Sequence, residues 1–253
     1  MESTTSEPHK SGAGTEPSAV DPVLGSGEMF DSIAQRYDLL NRILSLGLDR
    51  GWRRKAVRTL QAPEGGRVLD LAAGTADIAL AVARHYPSIQ VLGIDPSSGM
   101  LDVGRAKVAS AGLEDRVELQ IGDAQSLDLA DNSVDACSIA FGIRNVPDRL
   151  AALREMARVV RGGGQVVILE LSTPQHGFQA WASRIHVEHF VPLVGGLLSG
   201  PEAYQHLRDS MNSFPTDDDF IAMMTEAGLK QSSVQRLGLG VCGLFVGTAP
   251  DGN

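Results

Sequence analysis

The stretch Val68 to Asp77, VLDLAAGTAD, constrains this chain more than any other. Val68, Leu69 and Leu71 form a short aliphatic run and Gly74 interrupts it. Ile78, Leu80, Ala81 and Val82 then follow with helical spacing up to a stop at Pro87. The reading is strand, tight loop, helix. A glycine in such a loop lets the backbone approach a ligand, and the helix start behind it offers unbonded N–H groups. Thr75 is expected to cap that helix and to present its hydroxyl to the ligand. Asp70, at the strand end, is expected to be the first acidic side chain in the crevice.

A second unit narrows the ligand. Ile89 to Asp95, IQVLGID, reads as another strand that ends in an acid. Asp95 follows Gly74 by about 20 residues, the spacing at which a nucleotide-binding unit places its acceptor for ribose hydroxyls. The loop holds a single glycine, with Ala72, Ala73 and Ala76 at the other small positions. A pyrophosphate needs more bare backbone than that. A nucleoside without phosphates, such as S-adenosylmethionine, fits better than a dinucleotide. An ordinary turn between strand and helix competes with this reading for the loop alone, and Asp95 weakens that competitor.

Composition excludes several classes of partner. The chain has 253 residues, long enough for one large domain, and a net charge of −9. That charge argues against nucleic acid and against electrostatic adhesion to anionic lipid. Cys137 and Cys242 sit in apolar runs without metal-ligand or disulfide spacing, as expected of buried thiols in a reducing compartment. No metal site is expected. Residues 1–27 are rich in Ser, Gly, Pro, Thr and Glu and are expected to form a disordered tail, neither signal nor transit peptide. The remainder, 28–250, reads as a single domain, and no apolar stretch is long enough to span a bilayer.

The rest of the chain repeats the strand–helix alternation. Residues 29–47 have helical spacing with Asp31 and Asn41 as candidate caps, and residues 49–60 continue as a helix with Trp52, Val57 and Leu60 apolar. This N-terminal helical segment either covers the ligand as a lid or packs on the sheet. Ser97 caps a helix that Gly112 ends. Residues 116–121 form a third strand, after which Asp123 can accept from an adenine amino group while Ala124 leaves room for the ring; a turn aspartate is the plainer use. Residues 134–141 form a fourth strand and 148–160 a helix, ended by the glycines at 162–164, with a fifth strand at 166–171. Five such strands imply a doubly wound parallel sheet with ligands at the strands' carboxyl ends. The broken apolar segment 175–198 is read as a substrate lid, a membrane contact or core, and 175–215 as an insertion. Helices at 202–213 and 216–227, the latter capped by Thr216, precede two closing strands at 229–237 and 241–248, an antiparallel pair.

These residues resemble a specific family, the C-methyltransferases of ubiquinone and menaquinone biosynthesis. The resemblance runs through FDSIAQRYDLLNRILSLGLDRGWR (30–53), VLDLAAGTAD (68–77), GIDPSSGML (93–101), GDAQSLDLADNSVD (122–135), FGIRNVPD (141–148), VILELSTP (167–174) and AYQHLRDSMNSFP (203–215). VLDLAAGTAD marks only the superfamily; FGIRNVPD and the opening FDSIAQRYD are far more specific. The resemblance implies a class I S-adenosylmethionine-dependent methyltransferase fold: a Rossmann-like, seven-stranded, mostly parallel sheet with a helical insertion before the last two strands. It implies methyl transfer to a ring carbon of a polyprenylated quinol, converting demethylmenaquinol to menaquinol. The benzoquinol step of ubiquinone biosynthesis, another small phenol as acceptor, and a non-catalytic cofactor-binding partner are the alternatives. Carried over by motif, Gly74, Thr75, Asp95, Asp123 and Ala124 would bind the cofactor. Ala76 replaces a glycine of many relatives, which should slightly tighten the turn, and Ala140 replaces a cofactor-contacting serine of some.

The chemistry needs an ionised ring hydroxyl, whose pKa near 10 leaves little anion at neutral pH. Arg144 is the candidate for stabilising that oxyanion, since its guanidinium stays protonated, and Asn145 for orienting a water or a quinol hydroxyl. A loop ion pair and a helix cap before Pro147 are the structural alternatives. Tyr37, His189 and His206 are weaker candidates. The expected setting is cytoplasmic, peripheral at the inner face of the membrane, with transient membrane contact; oligomeric state is left open, a homodimer included.

Overall fold

In this computed structural model the described residues are 47–171 and 209–251, with Leu239 by its backbone alone, together with Asp31, Ala34, Asp38, Arg42 and Ser45. Tyr37, His189, His206, the 175–198 segment and the 1–27 tail lie outside them, as do Asn41 and most of the 202–213 helix.

Helix α1 (Asp49–Thr59) leads into strand β1 (Arg67–Leu71). Helix α2 (Asp77–His85), strand β2 (Gln90–Asp95), helix α3 (Ser98–Ser110) and strand β3 (Val117–Ile121) follow. After them come β4 (Val134–Ala140), α4 (Arg149–Val159), β5 (Val160–Leu171), α5 (Asp217–Glu226), β6 (Lys230–Leu237) and β7 (Cys242–Thr248). The seven strands form one sheet in the order β3-β2-β1-β4-β5-β7-β6. β1 to β5 are parallel and β7 runs antiparallel to both its neighbours. The fold class read from the sequence is the observed one.

Period-two alternation divides the core. Leu69, Leu92, Cys137, Ile168 and Phe245 point to one face, under Leu153, Met156, Phe220 and Met224 of α4 and α5. Val68, Val91, Ala136, Val167 and Leu244 point to the other, under Trp52, Val57, Leu80 and Leu101 of α1, α2 and α3. Both thiols are buried and free, and burial pushes that of Cys137 well above the ordinary thiol range.

Local signals hold at most boundaries. Ser97 accepts from the Met100 N–H and Thr216 from the Asp219 N–H, as N-caps should. Three expectations need correction. The N-cap of α2 is Ala76, in the left-handed region at φ 65°, and Thr75 makes no cap bond. The cap before α4 is Asp148, accepting from Ala151 N–H, not Asn145. The glycines at 162–164 do not end α4: that helix stops at Val159 and β5 starts at once, passing through the glycines. At Gly164 a Cβ would collide with the carbonyl of Asp135 on β4, so the glycine lets two backbones approach.

The chain reverses its strand order between β1 and β4. At such a switch point the loops leaving the two strands diverge and leave a crevice at the carboxyl edge. Among the described residues no helix is long and apolar enough to cross a membrane.

Candidate active site

The crevice is a cavity of about 870 Å³, continuous with solvent, at the carboxyl ends of β1 to β4. Gly74, Thr75, Asp95, Asp123, Ala124 and Asn145 all line it. So do Ala72, Ala73, Ala140 and Gly142, a floor of small residues that keeps the strand tips accessible.

Asp95 ends β2 and is held in place: its Oδ2 accepts from the Gly74 N–H at 2.8 Å and its Oδ1 from the Ser97 N–H at 2.8 Å. Burial raises its pKa, and those two N–H bonds pull the other way. Each oxygen retains a lone pair for a further donor. Gly74 stands at φ 53°, and a Cβ there would come within 3.1 Å of Met100 Cε. Asp123 accepts from its neighbour's backbone, Gln125 N–H at 2.9 Å, and from the Gln125 amide. That is the turn use of aspartate, combined with a place in the lining.

Thr75 has a different job from the expected cap. Its hydroxyl donates to Asp38 Oδ1 at 2.6 Å and accepts from Lys107 Nζ at 2.9 Å. Lys107 also pairs with Asp38 and with Asp77. Asp31 reaches the same rim, accepting from the Ser97 hydroxyl at 2.5 Å and the Gly99 N–H at 2.8 Å. Asp31 therefore binds at the start of α3 instead of capping its own helix. Two helical residues before α1 are thus tied to the cavity mouth through carboxylates.

Asp70 is not in the lining. It is 1% exposed, beneath the floor; its Oδ1 accepts from the Ser138 hydroxyl at 2.9 Å, and its Oδ2 has no hydrogen bond. Desolvation pushes its carboxyl up to about 7, with the Ser138 bond and the charge of Arg53 opposing. The acids that do face the cavity are Asp77, Asp95 and Asp123.

Asn145 sits in the turn Ile143–Asn145 after β4, its N–H donating to the Gly142 carbonyl at 3.0 Å. Arg144 is 8% exposed and does not belong to the lining. Its Nη1 donates to Glu170 Oε1 at 2.7 Å and to the Phe141 carbonyl at 2.7 Å, and its backbone N–H donates to Glu170 Oε2 at 3.1 Å. Glu170 is fully buried. The pair clamps the turn that carries Asn145.

The basic residue of the lining escaped the sequence reading, as did Asp77 among the acids. Arg53 of α1 extends over the cavity, its Cζ 4.8 Å from the Phe141 ring centroid. It lies within DRGWRRKAVRT, where Arg50 and Arg54 are exposed. Its place directly after the buried Trp52 was the available signal.

The set of donors and acceptors discriminates between ligands. Three carboxylates and one guanidinium face the cavity, which repels a pyrophosphate and suits an uncharged or cationic nucleoside. With the switch point at β1 and β4 and the antiparallel β7 between β5 and β6, this makes the chain a class I methyltransferase in fold. Solved structures agree: a methyltransferase from Aquifex aeolicus described as SAM-dependent has a TM-score of 0.62 at 18% identity, covering 87% of this chain and 98% of that one. A Haloferax volcanii complex of the Trm112 activator and a methyltransferase gives 0.65 at 19%, covering 87% and 97%. The chain belongs to the ubiE/COQ5 methyltransferase family, whose profile matches residues 23–249. A Geotalea daltonii protein named ubiquinone/menaquinone biosynthesis C-methyltransferase UbiE is 44% identical over 221 residues, 87% of this chain and 94% of that one. A Bacteroides fragilis demethylmenaquinone methyltransferase is 40% identical, covering 87% and 91%.

Proposed function

We infer that this methyltransferase transfers a methyl group from S-adenosylmethionine to a ring carbon of a polyprenylated quinol, converting demethylmenaquinol to menaquinol. The observation that carries the reading is an open cavity at the switch point with acceptors at the β2 and β3 tips and, among the described residues, no phosphate-binding loop, in a chain of this family. The Geotalea and Bacteroides names supply the substrate class.

When bound, S-adenosylmethionine supplies the electrophilic methyl on its sulfonium. The chain does the rest. Asp95, fixed by two backbone N–H groups, accepts from ribose hydroxyls. Asp123 and Ala124 serve the base, Gly74 gives close backbone approach, and Thr75 sets the rim through Asp38 and Lys107. Asn145 faces the cavity and holds the quinol hydroxyl or a water beside it. Arg144 is a positioning residue behind it, because Glu170 offsets much of its charge. Direct contact of Arg144 with the ring oxyanion is the second reading, favoured by a guanidinium that stays protonated. Uptake of a prenylated ring calls for transient contact with a membrane surface from the cytoplasmic side; pairing as a homodimer belongs to the same proposal.

The test is mass spectrometry of demethylmenaquinol, its benzoquinol counterpart and a soluble phenol, each incubated with the protein and S-adenosylmethionine. Gain of one methyl on the naphthoquinol is expected. Methylation of the benzoquinol or phenol alone moves the substrate class, and no methylation despite cofactor binding makes the chain a non-catalytic partner. Asn145→Ala is expected to lower kcat about 10²-fold at unchanged cofactor affinity. Arg144→Lys separates the two Arg144 readings: a displaced alkaline limb of the pH–rate profile marks oxyanion contact, and an unmoved profile marks positioning.

A further inference from the structure

We propose that Arg53 binds the α-carboxylate of the methionyl group of S-adenosylmethionine; this rests on the reading of that molecule as methyl donor. Among the described residues lining the cavity, Arg53 is the one Lys or Arg. Its side chain is 13% exposed, and its Nε has no hydrogen bond, with Asp49 of the same helix 3.8 Å away. A mostly covered guanidinium on a cavity wall is set to take an anionic partner from that cavity. Among the described residues its company is the Asp49 carboxylate at 3.8 Å, the buried Asp70 carboxyl, which feels its charge, and the face of Phe141 at 4.8 Å.

Position along the cavity selects the partner. Asp95 and Asp123 mark the β2 and β3 side and carry only acceptors, which suits ribose hydroxyls and a base amine. A nucleoside seated there points its remaining arm toward β1 and β4, where Gly74, Phe141 and Arg53 converge. That arm is an amino acid, and its carboxylate is the one anionic group of the donor. The other charged lining groups, Asp77, Asp95 and Asp123, repel it. A guanidinium meets a carboxylate in a two-bond fork, a geometry an ammonium does not reproduce. Phe141, at φ 59° after the last residue of β4, supports the guanidinium plane from beneath and so fixes its direction.

The experiment is calorimetric titration of the full chain and of Arg53→Gln and Arg53→Lys with two ligands. S-adenosylhomocysteine carries the amino acid arm, whereas 5′-methylthioadenosine keeps the nucleoside and thioether and lacks it. Arg53→Gln is expected to weaken S-adenosylhomocysteine about 10- to 100-fold and methylthioadenosine less than about twofold, with Arg53→Lys in between. Equal loss for both ligands would overturn the proposal, because it would make Arg53 a structural residue. Unchanged S-adenosylhomocysteine affinity would also overturn it, and a raised KM for quinol in that variant would give Arg53 to the substrate oxyanion. If the unaltered chain binds neither ligand, the donor reading falls and this proposal with it; if it binds both, only the Arg53 assignment is at stake.

Discussion

Removing Glu170 should cost this protein more than any other single change to the site's frame. Glu170 is fully buried and accepts from Arg144 Nη1 at 2.7 Å, the Arg144 N–H at 3.1 Å and the Leu171 N–H at 2.8 Å. Glu170→Ala takes the carboxylate away from a buried guanidinium, from the buried Arg144 N–H and from the part-buried Leu171 N–H. Breaking a buried pair from one side costs about 3–5 kcal/mol, most of it the uncompensated charge. For a domain of this size about 2–4 °C of Tm is lost per kcal/mol, so the midpoint should fall by roughly 6–20 °C. Urea and thermal unfolding of the ligand-free chain at pH 7 measure it. Glu170→Gln, which keeps shape and an acceptor, should lose less. The double variant Arg144→Met with Glu170→Leu should return to within about 1 kcal/mol of the parent, since apolar replacement of a buried pair is often neutral. That stable double variant should still transfer methyl groups poorly, because the clamp on Asn145 is gone. A loss below about 1 kcal/mol in Glu170→Ala would refute the reasoning.

Asp70→Asn should change the pH dependence of stability. The folded carboxyl sits at about 7 against 3.8 for the free side chain. The folded state therefore holds a proton that the unfolded chain gives up, so Asp70 costs nothing below about pH 4 and destabilises progressively as pH rises to 7. The full cost is about 4 kcal/mol; relative to the parent, Asp70→Asn should gain stability across that window and level off above it, and parallel curves would sink the idea. Ala76→Gly should raise Tm by about 1–4 °C, since a left-handed alanine is strained and glycine is not, as thermal unfolding would show. Gly142→Ala should weaken S-adenosylhomocysteine about tenfold or more in calorimetry, because the new methyl would collide with that of Ala72 and push the β1 and β4 loops apart.

Much of this could be read from local pattern. Short apolar runs bounded by turn residues marked all seven strands, and Ser97 and Thr216 announced their helices because a cap bond spans three residues. What local pattern missed was set by distant neighbours. Thr75 reads as a cap, yet its hydroxyl goes to Asp38 and Lys107, 37 and 32 positions away. Asp70 has the same type and strand-end setting as Asp95, but the chain covers one and opens over the other. The glycines at 162–164 look like a break, and only the approach of Asp135 explains why the strand needs Gly164. Arg53 is one of several arginines on its helix, and its place after the buried Trp52 was the one local hint that it meets a cavity built by β1 and β4. Arg144 and Asn145 were adjacent in one motif, and the turn sends them in different directions, one to Glu170 and one to the crevice.

The seventh strand to be synthesised is threaded between the fifth and the sixth. While the ribosome has delivered β5 but not yet Cys242–Thr248, the inner flank of β5 offers Val166, Val167, Ile168 and Leu169 with a row of unbonded amides and carbonyls. Such a flank is adhesive toward any other extended chain. The nascent protein therefore has a window of vulnerability that closes only when the terminal hairpin slots home, and a holdase that shields that flank would be expected to raise its yield.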